Sequence, residues 1–247
     1  VTWLPLFAVA ALAFMVEAIV GFGATVVVVS LGSLFLPLDV LLPTFVPVNL
    51  ALSAWHMVHH RAEVEWGLLR AALLPPLVVG TLVGMFMLAD LPARGLLVAF
   101  GLLIVALSTR ELWRSLRGAN DAGQPLAPSV STGVLVAAGL IHGVFGTGGP
   151  LIVFTLARTI HAKGAFRATL AVIWTLLNSL LLARYLVAGR VTAQTLSGSA
   201  LLVGALIVGV VVGERIHDRA DPLMFRRGLF SMLFVVGLTL TLRNLLA

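Results

Sequence analysis

The chain contains no cysteine among its 247 residues. That excludes disulfides, thiolate nucleophiles, thiol relays and thiolate metal sites. Charge is scarce as well. Asp, Glu, Lys and Arg make up 11% of the sequence, against about a quarter of an ordinary soluble domain. What fills the chain instead is apolar. Hydrophobic residues reach 60% and the mean hydropathy is +1.10, which reads as an all-α, polytopic membrane protein. The formal net charge of +6 does not signal nucleic acid, because the basic residues lie between apolar runs, where they orient loops across a bilayer. Lipid is the expected partner, and nucleic acid is not. The first residues, Val-Thr-Trp, carry no basic segment, so no cleavable leader is expected from them.

The chain reads as a duplicated unit. Glu17-Ala-Ile-Val-Gly-Phe-Gly-Ala-Thr25 aligns without gaps on His142-Gly-Val-Phe-Gly-Thr-Gly-Gly-Pro150, placing Gly21 on Gly146 and Gly23 on Gly148. Gly80 and Gly84 then match Gly209 and Gly213, and Gly95 matches Gly228, in the same order. The spacing predicts a first membrane repeat over 1–117, a polar, Gly- and Pro-rich linker over 118–128, and a second repeat over 129–247.

Each half holds one long apolar run and three of ordinary crossing length, about 41–58, 67–89 and 95–113, then 166–187, 193–213 and 225–246. Residues 3–36 as a single helix would measure about 50 Å, well beyond a hydrocarbon core of about 30 Å. Glycines sit at the middle of both first runs, so each is expected to break and turn back as a hairpin. The basic residues support that geometry. If each first run returns to its own side, Arg61, Arg70, Arg110, Arg114, Arg117, Arg158, Lys163, Arg167, Arg215, Arg219, Arg226 and Arg227 gather on one side, leaving Arg94, Arg184, Arg190 and Arg243 on the other. Twelve against four satisfies the positive-inside rule, whereas eight against eight, from single crossings, does not. The expected fold is two inverted repeats, each a glycine-broken hairpin plus three transmembrane helices. Parallel repeats are the alternative.

A helix interrupted inside a membrane exposes free N–H groups at the start of its second half, with a positive dipole end behind them. Two such ends facing each other would hold an anion. The candidate binding residues are therefore Gly21, Phe22, Gly23, Ala24 and Thr25 in the first half, and Gly146, Thr147, Gly148, Gly149 and Pro150 in the second. Ala24 stands where the second copy has Gly149, so the turns need not contribute equally. Asn49 and Asn178 lie mid-run, with Trp174 one turn before Asn178. Their amides suit either an oxyanion or a helix–helix contact. The four-residue spacing of Gly80/Gly84 and Gly209/Gly213 reads as close helix packing instead.

Glu17 is the acidic residue well inside an apolar run. A carboxylate at helix centre costs roughly 3 kcal/mol on insertion scales, so it must face protein or water or carry a proton. His142 occupies the equivalent place in the second half, and histidine titrates near neutral pH. The pair is the candidate proton-coupling site; hydrogen bonding to broken backbone is the plainer alternative for each. His56, His59 and His60 share a helix face but lack a clear carboxylate in the same turn, so they read as an interfacial cluster rather than a metal site. Arg158, Lys163 and Arg167, around His161, read mainly as topology signals, with gathering of anions at a cytoplasmic mouth as a second role.

The duplicated apolar halves, the Glu17–Thr25 segment and Gly143-Val-Phe-Gly-Thr-Gly-Gly-Pro150 resemble the sulfite exporter TauE/SafE family, also called TSUP, over nearly the whole chain. The resemblance implies a secondary active transporter in the cytoplasmic (inner) membrane. It would move sulfite, sulfoacetate or a related organosulfonate, coupled to protons. An anion channel and an intramembrane enzyme are the alternatives. The chain offers no thiol, Gly-x-Ser-x-Gly or His-Glu-x-x-His for the latter, so no enzyme, cofactor or metal is expected. A homo-oligomer stays open.

Overall fold

The computed structural model describes residues 3–32, 35–87, 93–117, 124–146, 148–219 and 222–246, and those residues are helical without a strand. The expected linker over 118–128 falls largely outside them, as does Thr147.

Both first runs break at their glycines. α1 (Trp3–Val20) ends where Gly21 takes a φ of +83°, its N–H still donating to the Glu17 carbonyl at 2.6 Å. α7 (Pro128–Phe145) ends the same way at Gly146, φ +68°, with its N–H on the His142 carbonyl at 2.7 Å. These are left-handed glycine caps, a conformation that side-chain-bearing residues avoid. The chain then restarts as α2 (Ala24–Val27), running on through a π turn over Val28–Gly32, and as α8 (Gly149–Leu156). Pro150 sits in the first turn of α8, where its missing N–H costs nothing. At eight or nine residues, each returning segment is about 12–13 Å long, less than half a hydrocarbon core. A Cβ on Gly32 would lie 3.4 Å from Leu6, so α2 and its π turn double back to the level at which α1 began.

The remaining helices are α3 (Leu38–His59), the short α4 (Trp66–Leu68) leading through a π turn into α5 (Leu74–Met87), α6 (Ala93–Leu116), α9 (Lys163–Val187), α10 (Ala193–Arg219) and α11 (Pro222–Leu246). Among the described residues, five helical stretches, Leu38–His59, Trp66–Phe86, Pro128–Phe145, Lys163–Val187 and Ala193–His217, are long and apolar enough to cross a membrane. Large exposed side chains such as Leu102, Val203, Ile207 and Val211 face outward, as a lipid-facing surface requires.

Small residues set the helix pairs. α5 lies on α7 with Gly80 and Gly84 so close that a Cβ at either would sit 2.3 Å from the Val136 or Leu140 carbonyl oxygen. α10 lies on α1 in the same manner: added Cβ atoms at Gly209 and Gly213 would meet the Ala11 and Met15 carbonyls at 2.4 and 2.6 Å. The packing reading of these four glycines holds. In both pairs residue numbers rise together, so the helices run parallel. The pairs α3–α9 and α6–α11 run antiparallel: Leu42 and Val46 cluster with Leu181 and Tyr185, and Gly101 meets Gly237 and Thr241.

Candidate functional site

The two helix breaks meet in the interior. Phe22, at the first tip, lies 3.7 Å from a Cβ position on Gly149, the start of α8. Reciprocally, Thr25 near the start of α2 lies 3.6 Å from a Cβ position on Gly146. Gly148 packs back on its own hairpin, where a Cβ would fall 2.1 Å from the Ala138 carbonyl oxygen, so a side chain there would push the turn open. Phe22, Ala24 and Pro150 are fully enclosed.

Between the tips lies a cavity of about 20 Å³ bounded by Glu17, Gly23, Thr25, Asn49, His142, Gly146, Gly149, Trp174 and Asn178. Residues from two sequence-distant turns and from the middles of α3 and α9 thus share one small space. The Asn49 amide donates to Glu17 Oε2 and to Thr25 Oγ1, each at 3.3 Å, tying the carboxyl group to the start of α2. The His142 ring stacks on Trp174 with centroids 6.3 Å apart, and neither ring nitrogen meets a hydrogen-bond partner among the described residues. Asn49 Oδ1 likewise lacks one. The Trp174 indole N–H donates to the Gly21 carbonyl at 2.8 Å, so Trp174 holds the first tip and offers the cavity its ring rather than its donor. A buried cluster of carboxyl, imidazole, amide and hydroxyl groups can carry a proton and can hydrogen-bond an oxyanion.

Two larger cavities flank this space. One, of about 180 Å³, shares Glu17 and Trp174 with it and continues past Gly21 and Ser53 to His56, Arg167, Glu214 and His217. The other, of about 280 Å³, lies beyond the second tip and is lined by Asp39, Val144, Phe145, Arg184, Tyr185 and Arg190. Along α9 the order is Arg167, Trp174, Asn178, Arg184, and along α3 it runs the opposite way, from His56 through Asn49 to Asp39. Arg167 and Arg184 are 17 positions apart, about 25 Å of helix, so the three cavities form a series nearly as deep as a hydrocarbon core.

Several polar residues do more than the sequence suggested. Arg167 pairs with Glu214, with bonds of 3.3 and 2.5 Å, and His56 Nε2 approaches the same carboxylate at 3.7 Å. His60 has a carboxylate after all, Glu63 three residues on, at 3.2 Å. His59 instead packs its ring against Trp55. No three potential metal ligands converge among the described residues. Arg158 is buried in an ion pair with Glu111, whose side chain is also fully enclosed, and its guanidinium lies over Phe154. Glu17 is therefore not alone among acidic groups inside the protein. Glu111 sits at the end of an apolar run, and its burial depends on an arginine 47 positions away that no local pattern announces.

The sequence model of one family, described as Sulfite exporter TauE/SafE, matches residues 6–240. A "Probable inner membrane transporter protein TsaS" of Comamonas testosteroni is 28% identical over 180 residues, covering 72% of this chain and 73% of the relative. A "Probable sulfite/organosulfonate exporter TauE" of Cupriavidus necator is 26% identical over 235 residues, covering 92% of this chain and 88% of that protein. No solved structure matches.

Proposed function

Because the chain belongs to the sulfite exporter TauE/SafE family, whose members are membrane transporters and not enzymes, we propose that it carries sulfite or a small organosulfonate across the inner membrane by alternating access between its hairpin tips. The observation that carries this reading is the meeting of the two glycine breaks around Glu17, Asn49, Thr25 and His142. The name of the Cupriavidus necator relative supplies the substrate class.

The two halves, 1–117 and 129–247, act as inverted repeats on this account. What supports it is the exchange symmetry of the packing. α1 on α10 has the same form as α7 on α5, and the counterpart pairs α3–α9 and α6–α11 each run antiparallel. Rocking one half against the other would close one flanking cavity and open the opposite one. With a volume of about 20 Å³, the central space has room for about one water and not for a four-atom oxyanion. The anion therefore reaches the tips only as α2 and α8 part. There Thr25 and the backbone N–H groups around Gly23 and Gly149 receive it, with Asn49 and Asn178 as side donors. Glu17 and His142 handle the coupled proton. The His56 cavity faces the cytoplasm, since Arg61, Arg70 and most basic residues lie at that end.

The test is sulfite uptake into proteoliposomes under an imposed pH gradient, with Glu17→Gln beside the parent. Gradient-driven flux in the parent and its loss in the variant is the expected result. Equal gradient-driven flux in both would return Glu17 to a structural role. Absence of flux for sulfite and organosulfonates alike, with folded protein, would overturn the substrate assignment.

A further inference from the structure

The cytoplasmic cavity is more than a passage. Among the described residues it is lined by one guanidinium, that of Arg167, and by three carboxyl groups, Glu17, Glu63 and Glu214. Each carboxyl group already has a partner. Asn49 donates to Glu17 at 3.3 Å, His60 is 3.2 Å from Glu63, and Arg167 is forked onto Glu214. Among the described residues the cavity therefore offers an entering anion no unengaged guanidinium unless that of Arg167 is handed over. The geometry provides for that. The Arg167 side chain is 13% exposed, backed onto the first hairpin tip with its Cγ 3.0 Å from a Cβ position on Gly21, whereas Glu214 is 32% exposed and on the open side. Glu214 Oε1, which accepts the shorter Arg167 bond, also lies 3.7 Å from His56 Nε2, a second partner once that imidazole takes up a proton. A planar guanidinium fork suits a sulfite or sulfonate oxygen pair as well as it suits a carboxylate.

We propose that this cavity of about 180 Å³ is an anion-binding site in its own right, where an incoming sulfite or sulfonate group displaces Glu214 from Arg167 and Glu214 passes to His56. Glu214 is a placeholder that keeps Arg167 neutralised between substrates. The charges balance with one proton. Arg167 and Glu214 begin as a neutral pair; after exchange Arg167 pairs with the anion, and Glu214 pairs with His56 protonated from the cytoplasmic solution. The other titratable and charged groups that line the cavity with His56 are Arg167 on α9, His217 and Glu214 on α10, His60 and Glu63 just after α3, and Glu17 on α1. Lys163 Nζ and His217 Nδ1 are held by the His217 and Ile19 carbonyls, at 3.0 and 2.8 Å. This inference rests on the transport reading above.

Calorimetric binding of methanesulfonate to the purified full chain tests it, because this ligand has no proton of its own to exchange near neutral pH. Repeating the titration in buffers of different ionisation enthalpy counts the protons taken up. The expected results are one proton per anion in the parent, several-fold tighter binding in Glu214→Gln, weaker binding in Arg167→Lys, and no proton uptake in His56→Gln. Should Glu214→Gln fail to fold, Glu214→Asp, which shortens the placeholder, moves affinity in the same direction. Weaker or unchanged binding in the Glu214 variant overturns the exchange and leaves an ordinary structural ion pair. A parent that transports sulfite but binds no methanesulfonate also overturns it. A parent that neither binds nor transports any sulfur anion overturns the functional reading itself.

Discussion

At the scale of single residues, the site is built from groups that each secure a piece of broken helix. Trp174 shows this most clearly, since its indole N–H satisfies the Gly21 carbonyl that helix termination leaves over. Trp174→Phe keeps the ring and removes the donor. An orphaned buried carbonyl costs about 1–3 kcal/mol, so the thermal unfolding midpoint in detergent should fall and transport should slow. An unchanged midpoint would mean that the first tip does not depend on this bond. Asn49 bridges Glu17 and Thr25, and Asn49→Leu is expected to depress flux more than it depresses stability, read as flux per folded molecule. Glu17, His142, Asn49, Asn178 and Trp174 were all legible from the sequence, because a polar group in an apolar run stands out. Arg167, Glu214 and His56 were not legible as a group. Each lies near a helix end, where charge is unremarkable, and only the antiparallel crossing of α3 and α9 beside α10 brings them together.

At the scale of elements, the glycine breaks follow from helix length and glycine placement, and both fell where those predicted. The sequence did not distinguish the duties of the individual glycines. Gly21 and Gly146 supply a positive φ, whereas Gly148 is right-handed and supplies closeness. The distinction predicts an order of damage. Ala at Gly146 would have space, its nearest neighbour being Thr25 at 3.6 Å, and would bear a left-handed strain of about 1–2 kcal/mol. Ala at Gly148 would collide with the Ala138 carbonyl oxygen at 2.1 Å, which no rotamer change relieves. Folded yield by size exclusion should therefore rank parent, Gly146→Ala, Gly148→Ala in descending order; the reverse order would refute the assignment of duties. The π turns at Val28–Gly32 and Leu69–Leu73 had no sequence signal, since a π turn arises from one residue more than the helix can accommodate between fixed contacts.

At the scale of the whole molecule, the two glycine breaks meet around one central space, and the proposal is that the halves repeat one plan in opposite senses about it. Orientation is directly testable because the chain lacks cysteine and any introduced thiol is unique. Ala62 and Ala188 are both exposed, beside the His56 and Arg184 cavities respectively. In intact cells a membrane-impermeant thiol reagent is expected to label Ala188→Cys and spare Ala62→Cys; the opposite pattern would invert the arrangement derived from the basic residues. The proposed substrate class is the part least visible in the residues themselves, because a backbone-lined anion site would accept several oxyanions alike; it rests on the family and on the name of one relative. The most direct measurement of the central claim is counterflow, with radiolabelled sulfite outside proteoliposomes preloaded with unlabelled sulfite. A carrier that alternates between its two flanking cavities predicts transient accumulation of label above its equilibrium level. Label that only equilibrates, without overshoot, would mean a channel open at both ends and would contradict the account.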